Sequence, residues 1–118
     1  MSLRLTGASV TYPGAVDAAV RDVDLSFDAG THTALLGPNG AGKSTILRAL
    51  GGLLACDPGE ASLDGRNARS WPRREFARRV AFVSSAEESA FPIRVRDYVA
   101  LGRNPYVEGW RGPSAGDR

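Results

Sequence analysis

Val23, Leu25 and Phe27 alternate with Asp22, Asp24, Ser26 and Asp28, the period of a strand with one face buried and one in water. The pattern predicts a strand closed by the turn Asp28-Ala29-Gly30. Upstream, Leu3 and Leu5 and then Val10 to Tyr12 predict a strand broken by Gly7, with a turn at Pro13-Gly14. Downstream, Thr31 to Leu36 reads as a short strand ending in Ala34-Leu35-Leu36, and the glycine-rich stretch Gly37 to Gly42 follows. From Lys43 to about Leu54 the period lengthens. Ile46, Leu47, Leu50 and Leu53 or Leu54 recur at the spacing of one helix face, and Gly51-Gly52 weakens the last turn.

The second half of the chain is punctuated more heavily. Asp57-Pro58-Gly59 is a stop, and Asp64-Gly65 is a second turn, so Glu60 to Leu63 is predicted to be a hairpin strand. Pro72 suits the first position of a short helix through about Arg78. Val80 to Val83 reads as a compact apolar strand, Ser84 to Ala90 as a loop, and Ile93 to about Leu101 as a helix. After Gly102 the chain is loop-like, and no internal repeat or coiled-coil heptad is present.

Composition narrows the class. The 118 residues suffice for one domain of the usual ~100–150 residues. Hydrophobic residues at 42% and charged residues at 24% are the balance of a folded globular chain. A net charge of +2 is too small to argue for nucleic acid as a partner. A single Cys excludes an internal disulfide and a cysteine-based zinc site, and suits a reducing compartment. No apolar run approaches the ~18 residues of a membrane span, and no leader is expected from the opening Met-Ser-Leu-Arg-Leu. One detail is sharper. Of 15 basic residues, Lys43 is the only lysine. Lysine is a compact point charge where arginine is a planar fork, so a site that keeps lysine is chemically distinct.

That lysine sits in the stretch with the clearest chemistry. Gly37-Pro38-Asn39-Gly40-Ala41-Gly42-Lys43-Ser44 matches G-x-x-x-x-G-K-[ST], and Thr45 follows. Glycines let the backbone curl around a phosphate with amide groups pointing inward. The helix that begins near Lys43 aims its positive end at the same place. Lys43 can reach the β- and γ-phosphates, and the Ser44 hydroxyl can ligate Mg²⁺. A chance glycine-rich turn explains the lone lysine, the strand before and the helix after far less well.

Other candidates weigh less. His32 has no carboxylate or Cys partner nearby and reads as structural, and Cys56 as a small apolar filler. Arg69, Arg73, Arg74, Arg78 and Arg79 read as a solvated face, with phosphate or acidic-partner contact as the alternative. A P-loop ATPase also needs an acidic residue after a buried strand. Leu53-Leu54-Ala55-Cys56-Asp57 has that form, but it ends the P-loop helix and leaves no room for a strand.

Gly37 to Thr45, as GPNGAGKST, resembles the Walker A sequence of ATP-binding cassette (ABC) proteins. Tyr12 resembles that family's aromatic residue that stacks on adenine, and the order of hairpin, helix and strand through Val83 is also similar. Val95 to Trp110, VRDYVALGRNPYVEGW, resembles a stretch of importers of iron–siderophore, heme and cobalamin complexes. The resemblance implies an α/β fold: a P-loop NTPase core of the ABC ATPase type, its N-terminal half carrying an antiparallel β edge. Residues 1–84 would hold the β edge, the P-loop strand and helix and the strand after them. Residues 85–118 would hold the Q-loop region and the start of a helical subdomain.

The implied function is an ATP-binding subunit that powers uptake of a metal chelate, with ATP and Mg²⁺ as cofactors. Tyr12 would stack adenine. Gly37, Pro38, Asn39, Gly40, Ala41, Gly42, Lys43, Ser44 and Thr45 would hold the nucleotide, with Lys43 as the catalytic charge and Ser44 on the metal. Implied partners are a membrane permease, a second nucleotide-binding domain and, indirectly, a substrate-binding protein. The implied place is the cytoplasmic face of the cell membrane. Alternatives are an ABC ATPase of another transporter, or a nucleotide-binding remnant without hydrolysis.

Two departures stand out. Where the family has Gln after the Val80–Val83 strand, this chain has Ser85, whose shorter hydroxyl is expected to act through a water in preference to a direct Glu87 or Glu88 ligand. The family's Leu-Ser-Gly-Gly-Gln signature, Walker B, its glutamate and the switch His are not found before Arg118. The chain is therefore expected to be truncated before signature and Walker B, to be poorly stable alone, and not to turn over ATP by itself.

Overall fold

In the computed structural model, residues 1–85 and 91–107 are described. The chain divides into two compact units, Met1–Arg73 and Arg74–Arg118. The first is built on a four-stranded sheet of order β2-β1-β3-β4, from β1 (Ser2–Val10), β2 (Val20–Asp28), β3 (Glu60–Leu63) and β4 (Arg66–Asn67). All neighbours are antiparallel: Leu5 lies opposite Leu25 on one side and Ala61 on the other.

The first strand is not broken at Gly7. It runs unbroken from Ser2 to Val10, but its register slips between Leu5 and Ala8. Gly7 takes φ +51° there and donates its N–H to Asp24 Oδ1 at 2.8 Å. This is a β-bulge, and it changes the phase of the alternation. Leu5 faces the core before it, and Ala8 and Val10 after it. A strict period of two therefore fails across Gly7, which is why the sequence reads as two pieces.

Helix α1 (Lys43–Leu50) packs against β1 and β3. Its buried face is Thr45, Ala49 and Leu50, while Leu47 is 48% exposed. The predicted apolar face is thus rotated, and the helix stops at Leu50, where Gly51 caps it. β1 and β3, the strands α1 packs against, carry the small buried residues Ala8 and Ala61 together with Leu5, Val10 and Leu63. Close packing there suits Ala49 and Thr45 better than bulkier neighbours.

Two predicted strands are not strands. Residues 31–38 adopt no regular element, and Leu36 is 91% exposed. Residues 80–84 likewise adopt none, and Val83 is 90% exposed. Apolar runs of this kind suit strands buried on both faces of a parallel sheet. Strand character needs a hydrogen-bonding neighbour as well as composition. Both flanks of β1 are taken by β2 and β3, and no described strand lies alongside either segment.

The second unit holds most of α2 (Arg73–Ala77), together with α3 (Val95–Leu101) and a 3-10 turn at Asn104–Tyr106. Here the arginine run is not simply solvated. Arg74 and Arg78 each donate from Nε to the Pro105 carbonyl, at 2.9 and 2.6 Å, and Arg74 also donates to the Val107 carbonyl. The guanidinium groups of Arg78 and Arg103 lie 5.6 and 4.9 Å from the centre of the Tyr106 ring. The arginines satisfy carbonyls that a short irregular turn leaves without partners. Among the described residues, no helix is long and apolar enough to cross a membrane.

Candidate functional site

The glycine-rich loop is shaped by turns that its residues prescribe. Ala41 donates its N–H to the Pro38 carbonyl at 3.2 Å, closing a tight turn over Asn39 and Gly40. Gly40 and Gly42 take φ +84° and +95°, a region costly to side chains with a Cβ. Gly42 is further constrained, since a Cβ there would lie 2.9 Å from Val20 Cγ2 and 3.0 Å from the Ala19 carbonyl oxygen. The loop therefore lies directly against the start of β2. Gly42 is the N-cap of α1, and its carbonyl accepts the Ile46 N–H at 2.9 Å.

A cleft of about 340 Å³ opens at this helix start, lined by Ala19, Asn39, Gly40, Gly42, Lys43, Ser44 and Thr45. Helix geometry leaves the first N–H groups of α1, those of Lys43, Ser44 and Thr45, without intrahelical acceptors. Neither the first turn nor the cleft lining contains an acidic residue. The site thus combines backbone donors, a helix N-terminus and one cation, and nothing in its lining repels an anion.

Lys43 Nζ donates to the carbonyls of Gly37 and Pro38, both at 2.7 Å. The ammonium thereby closes the loop back on itself. An ammonium has three donors, so two hold the loop and one remains for an incoming oxygen. Ser44 is exposed at the cleft. Among the described residues, no group of three His, Cys, Asp or Glu side chains could hold a metal. A divalent cation here would have the Ser44 hydroxyl, with phosphate oxygens and water completing its shell.

Tyr12 lies just beyond β1 and is half-buried. Its hydroxyl is 3.0 Å from Thr45 Oγ1 and accepts from Arg48 Nη1 at 3.3 Å. These two hydrogen bonds, Thr45 first, hold the phenol below its ordinary pKa of 10.0. Tyr12 is not part of the cleft lining; it reaches the cleft through Thr45.

Of the nine loop residues expected, Asn39, Gly40, Gly42, Lys43, Ser44 and Thr45 line the cleft and Gly37, Pro38 and Ala41 do not, and two residues that the sequence reading passed over join the site. Ala19 forms part of the wall, and Arg48 anchors Tyr12. Arg48 follows Thr45 by three residues, so the two share one face of α1, a spacing visible in the sequence once Tyr12 is known to sit there. The remaining candidates stay outside. His32 is exposed, and Asp57 lies in a turn with its N–H on the Ser9 carbonyl at 2.8 Å. Burial pushes the Cys56 thiol up, in keeping with a packing role. Ser85 is exposed in the second unit, and Glu87, Glu88 and Trp110 lie outside the described residues.

Comparison with known proteins agrees with this geometry. The ABC transporter family model matches residues 20–104. The chain is 43% identical over 88 residues to the hemin import ATP-binding protein HmuV of Pseudomonas entomophila (strain L48), covering 75% of this chain and 34% of that protein. It is 41% identical over 110 residues to HmuV of Nocardia farcinica (strain IFM 10152), covering 91% and 38%. It is 43% identical over 100 residues to HmuV of Rhodopseudomonas palustris (strain ATCC BAA-98 / CGA009), covering 85% and 37%. The chain thus spans a little over a third of the length of these relatives.

Proposed function

Since this chain belongs to the ABC transporter family, we propose that it binds ATP with Mg²⁺ at Gly37–Thr45, as part of a subunit that powers heme import. The observation that carries the reading is the acid-free cleft at the start of α1, with Lys43 at its mouth. The names of the relatives support heme as the cargo.

In this reading the backbone N–H groups from Asn39 to Thr45 bind the phosphates and orient them. Lys43 turns its remaining donor on the terminal phosphates and adds a positive charge. Ser44 gives its hydroxyl oxygen to Mg²⁺, which when bound neutralises phosphate charge. Gly37, Pro38 and Ala41 keep the turn in shape. Tyr12 presents its ring to adenine beside the first turn of α1. The partners are a membrane permease, a second nucleotide-binding domain and a substrate-binding protein acting through the permease. The place of action is the inner face of the cell membrane.

Calorimetric titration of the chain with ATP and Mg²⁺ tests the nucleotide site. Lys43→Ala is expected to weaken binding at least about tenfold, the value of a charge-assisted contact. Equal affinity in the two proteins would refute the site. Heme uptake by cells whose protein carries Lys43→Ala tests the cargo: it should stop, and unimpaired uptake would refute heme import.

A further inference from the structure

We infer that Arg48 and Tyr12 form a positioning relay that turns the Thr45 hydroxyl toward a phosphate in the cleft. The inference rests on the nucleotide-binding reading above and assigns Tyr12 a role separate from adenine stacking.

The argument is one of donors and acceptors. A guanidinium can only donate, so the Tyr12 oxygen is the acceptor in the 3.3 Å contact with Arg48 Nη1. Thr45 Oγ1 lies 3.0 Å away, in a contact where either oxygen can donate; the relay takes the phenol as donor, which gives its oxygen one bond in and one bond out. Thr45 Oγ1 then accepts, and its own proton is left to donate elsewhere. Thr45 is 6% exposed, one of two buried polar residues in the described core, and it lines the phosphate cleft. A buried hydroxyl proton without an acceptor is costly, and a phosphate oxygen in the cleft is the acceptor that would remove that cost.

Placement on the helix makes the chain of bonds rigid. Thr45 and Arg48 share one face of α1, separated by nearly one turn. Tyr12 meets that face from the end of β1. Sheet and helix are thus tied by one hydroxyl, whose oxygen accepts from the arginine at the outer end. Without Arg48 or the phenol, the Thr45 hydroxyl loses the contact that fixes its rotation.

Binding of inorganic tripolyphosphate, which has no base to stack, separates the relay from stacking. Tyr12→Phe keeps the ring and removes the relay. It should weaken both tripolyphosphate and ATP by about three- to tenfold, the range of one hydrogen bond. Arg48→Met should weaken both ligands in the same direction, and it serves as a second probe if Tyr12→Phe fails to fold. Tyr12→Phe added to Thr45→Val should cost no more than Thr45→Val alone, and Thr45→Ser should recover most of what Thr45→Val loses. Unchanged tripolyphosphate affinity in both Tyr12→Phe and Arg48→Met would overturn the relay while leaving the nucleotide site standing. Wild-type chain that binds neither ligand would overturn both readings, and that result is distinct from the first.

Discussion

Tyr12 is the residue whose chemistry the environment changes most visibly at the site. Its phenol sits below the ordinary value of 10.0 because, once it has lost its proton, both the Thr45 hydroxyl and Arg48 donate to the anion. A group whose folded pKa is depressed adds stability above its unfolded value, and loses that contribution as pH falls through the folded one. Ionisation of Tyr12 should therefore leave stability near neutrality unaffected and add to it only as pH rises toward and past 10.0. The difference in tyrosinate absorbance between wild type and Tyr12→Phe should show a titration below 10.0, and Arg48→Met should move it upward. A Tyr12 titration at or above the ordinary value would contradict the hydrogen bonding described. Lys43 differs from its arginine-rich surroundings in kind. Its point charge satisfies two loop carbonyls at once, and a planar fork would not fit the same turn without moving it.

Among the elements, the β1 bulge and the turn that faces it form a single device. Gly59 takes φ +85° and lies so near Gly7 that a Cβ would collide with the Gly7 carbonyl oxygen. The turn is stitched to β1 by Ser9 N–H to Pro58 O at 3.0 Å and Asp57 N–H to Ser9 O at 2.8 Å. Gly59→Ala should therefore destabilise the chain by about 2–4 kcal/mol, combining a left-handed backbone with a backbone clash. Gly65→Ala is the control. It has a similar φ of +75°, but nothing lies within 4 Å of its Cβ position, so it should lose only about 1–2 kcal/mol. Denaturant unfolding of the pair measures the difference, and equal losses would show that backbone conformation alone matters at Gly59.

At the scale of the whole molecule, order is unevenly distributed. The first unit has a sheet with Leu63 fully buried, whereas α3 buries no residue and exposes Val95 and Val99 at 80% and 68%. Hydrogen exchange should find the amides of β1 and β3 best protected and those of α3 exchanging fastest among the helices. Protection of α3 equal to that of β1 would contradict this. The cleft holds an anion cradle but no carboxylate to align a water. The chain studied alone should thus bind nucleotide without steady release of phosphate. Phosphate release that Lys43→Ala abolishes would refute this expectation.

Local chemistry that needs no distant partner was legible in the sequence. The loop Gly37–Ser44 was legible because its glycines, its lysine and the helix after it are contiguous, and each residue type answers a local demand of backbone angle or charge. The same holds for β2 from Val23 to Asp28, where the alternation is unbroken, and for the Asp64-Gly65 hairpin turn. Tertiary structure decided the rest. Thr31–Leu36 and Val80–Val83 have the composition of strands, but pairing depends on a neighbour that composition cannot supply. The buried face of α1 was set by its packing against β1 and β3, so Thr45 and Ala49 went inside in place of Leu47. The link from Arg48 through Tyr12 to Thr45 joins positions far apart in the chain. Its donors and acceptors could be identified from residue types, but their meeting could not, because contact between them exists only once β1 and α1 have packed together.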